Sequence, residues 1–275
     1  LKIAVLSDPH LGFAKQHFVA NGRTGIELIN ASGADLCIVL GDLTLNGADS
    51  LDDCLFARDE IAKIRCDVRV LPGNHDVGDV SRSGRQPVDD IRLDRWRKVF
   101  GPTFWTMDTE QSLRLIGLNS QILSTGLAEE DAQWRMVEQS LSSADGRRII
   151  MFLHQPLFMH DWDEIDRPAW AVLDQSRQRL KALFVDHGVE LIICAHVHRA
   201  QVLDEPGMPK IVWTPATSFL SRNESMPQQS GAEMLGVTIL DLQKTEPEVS
   251  FLSSAEFEIT YIEDSKGKIY APPGS

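Results

Sequence analysis

Five short apolar runs, each stopping at an aspartate, an asparagine or a histidine, most constrain what this chain can fold into. The runs are Ile3–Leu6, Leu36–Leu40, Val68–Leu71, Ile149–Leu153 and Leu191–Ala195. They are short, rich in β-branched residues and mostly continuous, the pattern of strands buried on both faces. The motifs that follow them are Asp8-Pro9-His10, Gly41-Asp42, Gly73-Asn74-His75-Asp76, His154 and His196-Val197-His198. Helical patterns lie between. Ser50 to Arg65 has Leu51, Leu55, Ile61 and Ile64 on an apolar face and Asp52 and Asp53 in its first turn, where carboxylates suit the helix dipole. Ala128 to Leu141 and Leu173 to His187 are two more, the latter ended by Gly188. Alternating strands and helices predict an α/β layered fold. The motifs are then expected on one rim of one sheet, at the C-terminal strand ends where open α/β folds keep their sites.

The chain has 275 residues with no linker-like tract and no internal repeat. The motif-bearing strands reach from residue 3 to 198, so residues 1–270 are expected to form one domain and 271–275 a disordered tail. No run of 18 apolar residues predicts a membrane span, and no signal-peptide pattern is visible in a chain that begins at Leu1. The net charge of −13 argues against a basic nucleic-acid-binding surface. It does not exclude anionic substrates, because bound cations would reverse the sign locally. Cys37, Cys54, Cys66 and Cys194 have no CxxC spacing, so they read as reduced thiols in a cytoplasmic protein.

The motifs carry metal-ligand chemistry. Asp8 and His10 stand two apart on an extended segment, so their side chains leave on the same side. His196 and His198 repeat that spacing. Asp42 is a candidate bridge, because a carboxylate has two oxygens to share between cations and an imidazole does not. Asn74 offers a neutral carbonyl oxygen. His75, next in the loop, points elsewhere and need not share the metal. His154 is followed by Gln155-Pro156, which stops strand pairing. Taken singly, each is as readily a turn aspartate or an interior histidine; five groups at strand ends are not. His17, His160 and His187 lack such positions. Carboxylate, amide and imidazole without thiolate suit iron, manganese, zinc or cobalt. Two such ions ~3.5–4 Å apart clamp the attacking and leaving oxygens of an in-line displacement.

This set resembles the calcineurin-like metallophosphoesterases, whose pattern is D-x-H, G-D, G-N-H-D/E, H and G-H-x-H. All five blocks are present in order between residues 8 and 198. The resemblance implies a four-layer αββα sandwich of two mixed β-sheets flanked by helices. It implies that Asp8, His10, Asp42 and His198 hold one metal ion, and that Asp42, Asn74, His154 and His196 hold a second. It further implies that His75 contacts the phosphoryl oxygens or protonates the leaving group, with Asp76 orienting its ring. The nucleophile would be a hydroxide bridging the two metals. Two positions depart from the family: Ala195 replaces the usual Gly, and Leu45 stands where many phosphodiesterase relatives have Asp or Asn. The early D-x-H and the GNHD block look like the class III cyclic nucleotide phosphodiesterase and glycerophosphodiesterase branch. Gly73–Gly78, Leu118–Gln121 and His154–Phe158 also look similar to the calcineurin-like phosphoesterase domain-containing protein 1 group, which is associated with protein phosphatase activity.

Substrate choice belongs to the loops. Arg82 and Arg85 follow His75 closely and are candidate phosphate contacts, whereas Arg92, Arg95 and Arg97 read as the exposed side of a helix. Phe158–Trp170 is expected to wall the cleft, and Ser218–Gly231 to form a mobile loop near it. Leu235–Leu242, Val249–Ser253 and Glu256–Ile262 read as strands of the second sheet, with a hairpin at Ser265–Lys268. The expected substrate is a small-molecule phosphodiester, the alternative a phosphomonoester or phosphoprotein. A non-catalytic scaffold is disfavoured, because no ligand position is missing.

Overall fold

The structure, a computed structural model, describes residues 1–80, 86–225 and 231–269. One five-stranded sheet has β1 (Lys2–Leu6) at its centre. Beside it in parallel lie β2 (Leu36–Leu40) and then β3 (Asp67–Leu71). On its other side run β10 (Val237–Asp241) and β11 (Glu248–Leu252), both antiparallel pairings. A six-stranded sheet has the order β4 (Trp105–Asp108), β5 (Leu113–Leu118), β6 (Arg148–Leu153), β7 (Val189–Cys194), β9 (Lys210–Trp213), β8 (Gln201–Leu203). Its inner strands are parallel and its two edge strands antiparallel.

Alternation along the strands sorts the core into layers. Ile3 and Val5 of β1 and Ile38 and Leu40 of β2 face Ile150 and Phe152 of β6 and Leu191 and Ile193 of β7, which closes the two sheets on each other. Ala4, Leu6, Cys37 and Val39 point the other way. They meet α1 (Val19–Ser32) and α2 (Leu51–Ile61) through Ile26, Ile29, Ala57 and Ile61, and α4 (Asp90–Phe100) through Leu93 and Trp96. Met151 and Ile192 pack on α5 (Ala128–Ser142) and α6 (Asp174–His187) through Trp134, Val137, Leu180 and Phe184. The result is the expected αββα sandwich.

Several expectations need correction. The five motifs do not share one sheet: β1, β2 and β3 belong to one and β6 and β7 to the other. The strand β3 is an edge, and Asp67 and Arg69 on it are exposed, so it is not buried on both faces. α2 buries Cys54 and Ala57 while Leu51 is 49% exposed, because small residues let this helix sit close. β10 and β11 complete the sheet of β1, not the other. Glu256–Ile262 is no strand. The Asn21 side chain of α1 takes both backbone groups of Glu258, at 2.8 Å each, and so stands in for a ladder there. The supposed hairpin at 265–268 lies within a helix, α7 (Ile262–Ile269). The tail 271–275 lies outside the described residues.

The cysteines are all free, as expected, and burial pushes the Cys54 thiol up to about 12. No helix among the described residues is long and apolar enough to cross a membrane.

Candidate metal centre

The strand ends of the two sheets bring the motif side chains together in one place. Beyond β1 and β2 the backbone keeps pairing. Asp8 N–H donates to Gly41 O at 3.2 Å, His10 N–H to Asp42 O at 3.0 Å and Leu11 N–H to Leu43 O at 2.9 Å. This laces two motif loops into one piece. Asp8, His10, Asp42, His196 and His198 all have left-handed backbones, with φ between 45° and 71°. They make five of the eight such non-glycine residues described. That conformation is sparsely populated for a residue with a Cβ, and it concentrates here, where it turns each side chain off its strand axis. Ala195 is not among them, so the departure from the family's glycine leaves the turn intact.

Two glycines are required by close approach. A Cβ on Gly41 would sit 2.3 Å from His154 Nδ1, and one on Gly73 would sit 2.2 Å from Asp42 Oδ1. The neighbouring short helix α3 (Asn74–Val77) starts at Asn74 with Gly73 as its cap.

Candidate ligand atoms fall into three overlapping groups. Asp8, His10 and His198 form one group, Asp42, His154 and His196 another, and His10, Asp42 and His75 a third that touches both. Asp42 Oδ2 lies 3.7 Å from His10 Nε2 and 3.5 Å from His154 Nε2, while Asp8 Oδ1 lies 3.3 Å from His198 Nε2. Each of three histidines has its other ring nitrogen on a backbone carbonyl. His154 Nδ1 lies 2.9 Å from Leu40 O, His196 Nε2 2.9 Å from Ala169 O, and His198 Nδ1 2.7 Å from Phe219 O. A carbonyl only accepts, so the nitrogen facing it carries a hydrogen and the opposite one is the nitrogen that can ligate once it is unprotonated. His196 Nδ1 and His154 Nε2 accordingly face each other at 3.2 Å.

Do these residues fit metal ions? Asp8 Oδ1 and Asn74 Oδ1 are buried acceptors with no hydrogen bond, which is costly unless a cation meets them. The charges agree. Burial alone would raise the Asp8 carboxyl, but His198 and His154 outweigh it and bring it down to about 2. Asp42, also buried, is held well below the usual range by His154 and His75. Burial pulls His10 and His196 down, so both favour the neutral, ligating form. Against its own burial, His154 is lifted to about 9 by Asp42, so a metal there must displace a proton. The donor set fits two divalent or trivalent ions.

The GNHD block differs in one respect from expectation. Asp76 does not orient the His75 ring. Its carboxylate accepts the N–H groups of Gly73, Leu43 and Thr44, at 2.9, 3.1 and 2.9 Å, and the Thr44 hydroxyl at 2.7 Å. It straps the loop after β3 to the loop after β2. Burial and the nearby Asp42 charge raise it to about 6. The His75 ring is turned instead by Leu45, whose carbonyl lies 2.9 Å from Nδ1. Leu45, the second departure from the family, thus acts through its backbone, and its side chain is buried with Phe18 and Phe219.

Over residues 1–200 the chain matches the calcineurin-like phosphoesterase family. It belongs to that family. Among curated proteins it is similar to the serine/threonine-protein phosphatase CPPED1 of Pongo abelii, 28% identical over 138 residues, and to that of Homo sapiens, 27% identical over the same length. These stretches are 47% of this chain and 41% of each relative, so the chain spans well under two thirds of the curated relatives it matches. Among solved structures it is similar to GAP50, the anchor in the inner membrane complex of Plasmodium, with TM-score 0.65, 16% identity, and 95% and 87% of the two chains covered. A dimetal phosphatase from Danio rerio aligns with TM-score 0.57, 13% identity, and 92% and 99% covered. A purple acid phosphatase from yellow lupin aligns with TM-score 0.62, 12% identity, and 94% and 53% covered. At these identities the structural likeness speaks for the fold.

Around the centre the other expectations divide. Arg82 and Arg85 lie outside the described residues. Arg92 pairs with Asp49 and Asp89, Arg97 with Asp94 and Glu129, and Arg95 donates to Ala48 O. Phe158 and Trp162 are buried core, but Trp170 lies 6.4 Å from the His196 ring, so the 158–170 segment does wall the site. Residues 226–230 of the expected mobile loop lie outside the described residues, and Phe219 within that loop packs 4.2 Å from the His198 ring. Ala169, Phe219 and Leu40 act through backbone carbonyls, which no side-chain motif could announce.

Proposed function

We propose that this chain hydrolyses phosphoesters with two metal ions, one held by Asp8, His10, Asp42 and His198 and the other by Asp42, Asn74, His154 and His196, within a single domain over 1–270. The observation that carries the reading is the position of Asp42 Oδ2, within 3.7 Å of His10 on one side and 3.5 Å of His154 on the other. When bound, the ions would act as Lewis acids on the phosphoryl oxygens and lower the pKa of water. Iron, manganese, zinc and cobalt all suit the donors. The chain's own residues do the rest. Asp42 also accepts the His75 N–H at 2.8 Å, which fixes the His75 backbone beside the candidate ligands. The His75 ring packs edge-on to His10 at 4.6 Å, and with Nδ1 held by the Leu45 carbonyl its Nε2 can give a proton to the leaving-group oxygen when the ring is the imidazolium. His75 is therefore the proposed proton donor.

For substrate, the proposal is a small phosphodiester. The chain carries 27 basic against 40 acidic residues. The described rim arginines are engaged by acidic or carbonyl partners: Arg92 and Arg97 as above, Arg167 with Glu164 and Arg222 with Asp264. Phosphoryl charge would then be met mainly by the ions, which suits the single charge of a diester. Phosphomonoester hydrolysis is the second reading, favoured by the similarity to a serine/threonine-protein phosphatase. A cytoplasmic location is part of the proposal and accords with four free thiols. The test compares bis-aryl and mono-aryl phosphate on metal-loaded protein. A higher kcat/KM for the diester is expected, with the diester-to-monoester ratio changed less than about tenfold by Arg82→Ala or Arg85→Ala. A monoester preference that disappears in either variant would promote the phosphatase reading.

A further inference from the structure

Among the described residues the arginines Arg177 and Arg199 are wholly buried, and neither is among the candidate ligands. A guanidinium out of water is costly unless its donors are met. The donors of Arg177 are met largely by loop backbone, and those of Arg199 by backbone, amide and carboxylate oxygens. Arg177, on α6, donates from Nε to Trp162 O at 2.9 Å, from Nη1 to Val172 O at 3.1 Å and from Nη2 to Glu164 O at 2.6 Å. Its charge is balanced by Glu164, 4.0 Å away, and Asp174, 3.1 Å away. These contacts pin both sides of the segment that carries Ala169, whose carbonyl takes His196 Nε2. Arg199 follows His198 directly. Its Nη2 donates to Ser221 O at 2.7 Å and Asn223 Oδ1 at 2.9 Å, with Glu233 at 3.1 Å. Ser221 stands two residues beyond Phe219, whose carbonyl takes His198 Nδ1.

We propose that Arg177 and Arg199 are positioning residues, each serving one metal: Arg177 through Ala169 and His196, Arg199 through Phe219 and His198. The fork geometry explains why arginine is needed. Arg177 gathers three carbonyls with three nitrogens of one planar group, which a lysine's single ammonium cannot copy, and Arg199 reaches Ser221 O and Asn223 Oδ1 from Nη2, one atom farther along the side chain than a lysine ammonium stands. Carbonyl partners of ligating histidines set ring angle and lone-pair direction. A loop released by a fraction of an ångström would swing its carbonyl, and the imidazole with it. The two clamps sit on different loops, so each should affect one ion only.

The inference rests on the two-metal reading. The test titrates metal-free full-chain protein with Co2+, followed by calorimetry and by the absorption bands of bound Co2+. His196→Ala and His198→Ala mark which binding step belongs to which site. Arg177→Lys should weaken the His196 step by about 10–100-fold and leave the other within about threefold. Arg199→Lys should do the reverse. The Arg177→Lys effect should vanish in a His196→Ala background and persist in His198→Ala, the signature of a coupled pair. Should a lysine variant not fold, milder changes carry the same site-specific expectation. Gln178→Ala removes a second donor to Trp162 O, at 2.7 Å, and Asn223→Ala removes an acceptor of Arg199. Equal weakening of both steps, or of neither, in the variants that fold overturns the inference. A wild-type chain that takes up fewer than two Co2+ sinks the two-metal reading itself, and this inference with it.

Discussion

The two sheets bring different things to the shared site. The edge formed by β1, β2 and β3 supplies both carboxylates, the Asn74 amide, His10 and His75. The edge formed by β6 and β7 supplies imidazoles alone: His154, His196 and His198. The first edge is braced locally. Its loops pair backbone to backbone from Asp8 to Leu43, and the Asp76 carboxylate straps the third loop to the second. The second edge is braced at long range. Its three histidines lean on carbonyls 114, 27 and 21 residues away in the chain. The electrostatics differ as well. Asp8 and Asp42 are held ionised far below neutral pH, so the first edge has a fixed charge. The second edge answers to pH through His154 and His196, which are shifted in opposite directions. One half is thus a rigid anionic floor. The other is a set of neutral or protonated donors whose aim depends on distant loops.

Asp42 is where the comparison is most easily broken, because both halves depend on it. It takes the His75 N–H on its own side and faces His154 across the site. Its removal should cost more than any other single change. Asp42→Ala is expected to leave fewer than two metal ions per chain by elemental analysis. It should also lower kcat/KM by on the order of 10³-fold or more, the loss of several kcal/mol of charge stabilisation. Two ions retained with full activity would remove Asp42 from the bridge and leave the two edges as independent sites.

His75 sharpens the comparison within the first edge, since it belongs to that edge without being assigned as a ligand. His75→Ala is expected to keep both ions and lose about 10²–10⁴-fold in rate on an alkyl phosphoester. The loss should shrink on a nitrophenyl ester, whose leaving group needs no proton. An equal loss on both would make His75 a positioning or electrostatic group. Loss of an ion would make it a ligand, as its place in the third cluster with His10 and Asp42 would then require.

The same contrast explains what could be read from the sequence. The first edge was legible because its chemistry is written in contiguous residues. D-x-H, G-D and G-N-H-D each hold ligand, turn and strap within four positions, and Gly41 and Gly73 stand where a Cβ would strike His154 or Asp42. The second edge was legible only in its ligands. Nothing near His196 names Ala169, and nothing in Arg177 or Arg199 distinguishes a buried clamp from a surface arginine. The role expected of Asp76 failed for a related reason. Adjacency in sequence suggested a ring contact, whereas four donors from two loops claim its oxygens. Layer order was legible from the alternation of strands and helices, but sheet membership was not. A run of five apolar residues does not say which neighbour it pairs with, so the pattern alone assigns neither β10 and β11 to the sheet of β1 nor β3 to its edge.

The smallest expected effect concerns stability against pH and isolates the second edge. In metal-free protein His154 is raised from 6.5 to about 9, with burial opposing and the Asp42 charge prevailing. A group raised above its unfolded value stabilises the fold while protonated. That contribution is fully present below about pH 6.5 and is lost as pH climbs through about 9. His10 and His196, lowered by burial, act with the opposite sign and cost stability as pH falls below 6.5. Metal-free protein should therefore become easier to unfold with denaturant between about pH 6.5 and 9, and His154→Gln should flatten that slope. Metal-loaded protein should not share it, because a ligating His154 has already given up its proton. Apparent metal affinity should instead rise across the same window, with proton release on binding. Calorimetry in buffers of different ionisation enthalpy measures that release directly. A metal-free stability that stays flat from pH 6.5 to 9, or a slope that survives in His154→Gln, would show that the charge of the second edge does not reside on this histidine.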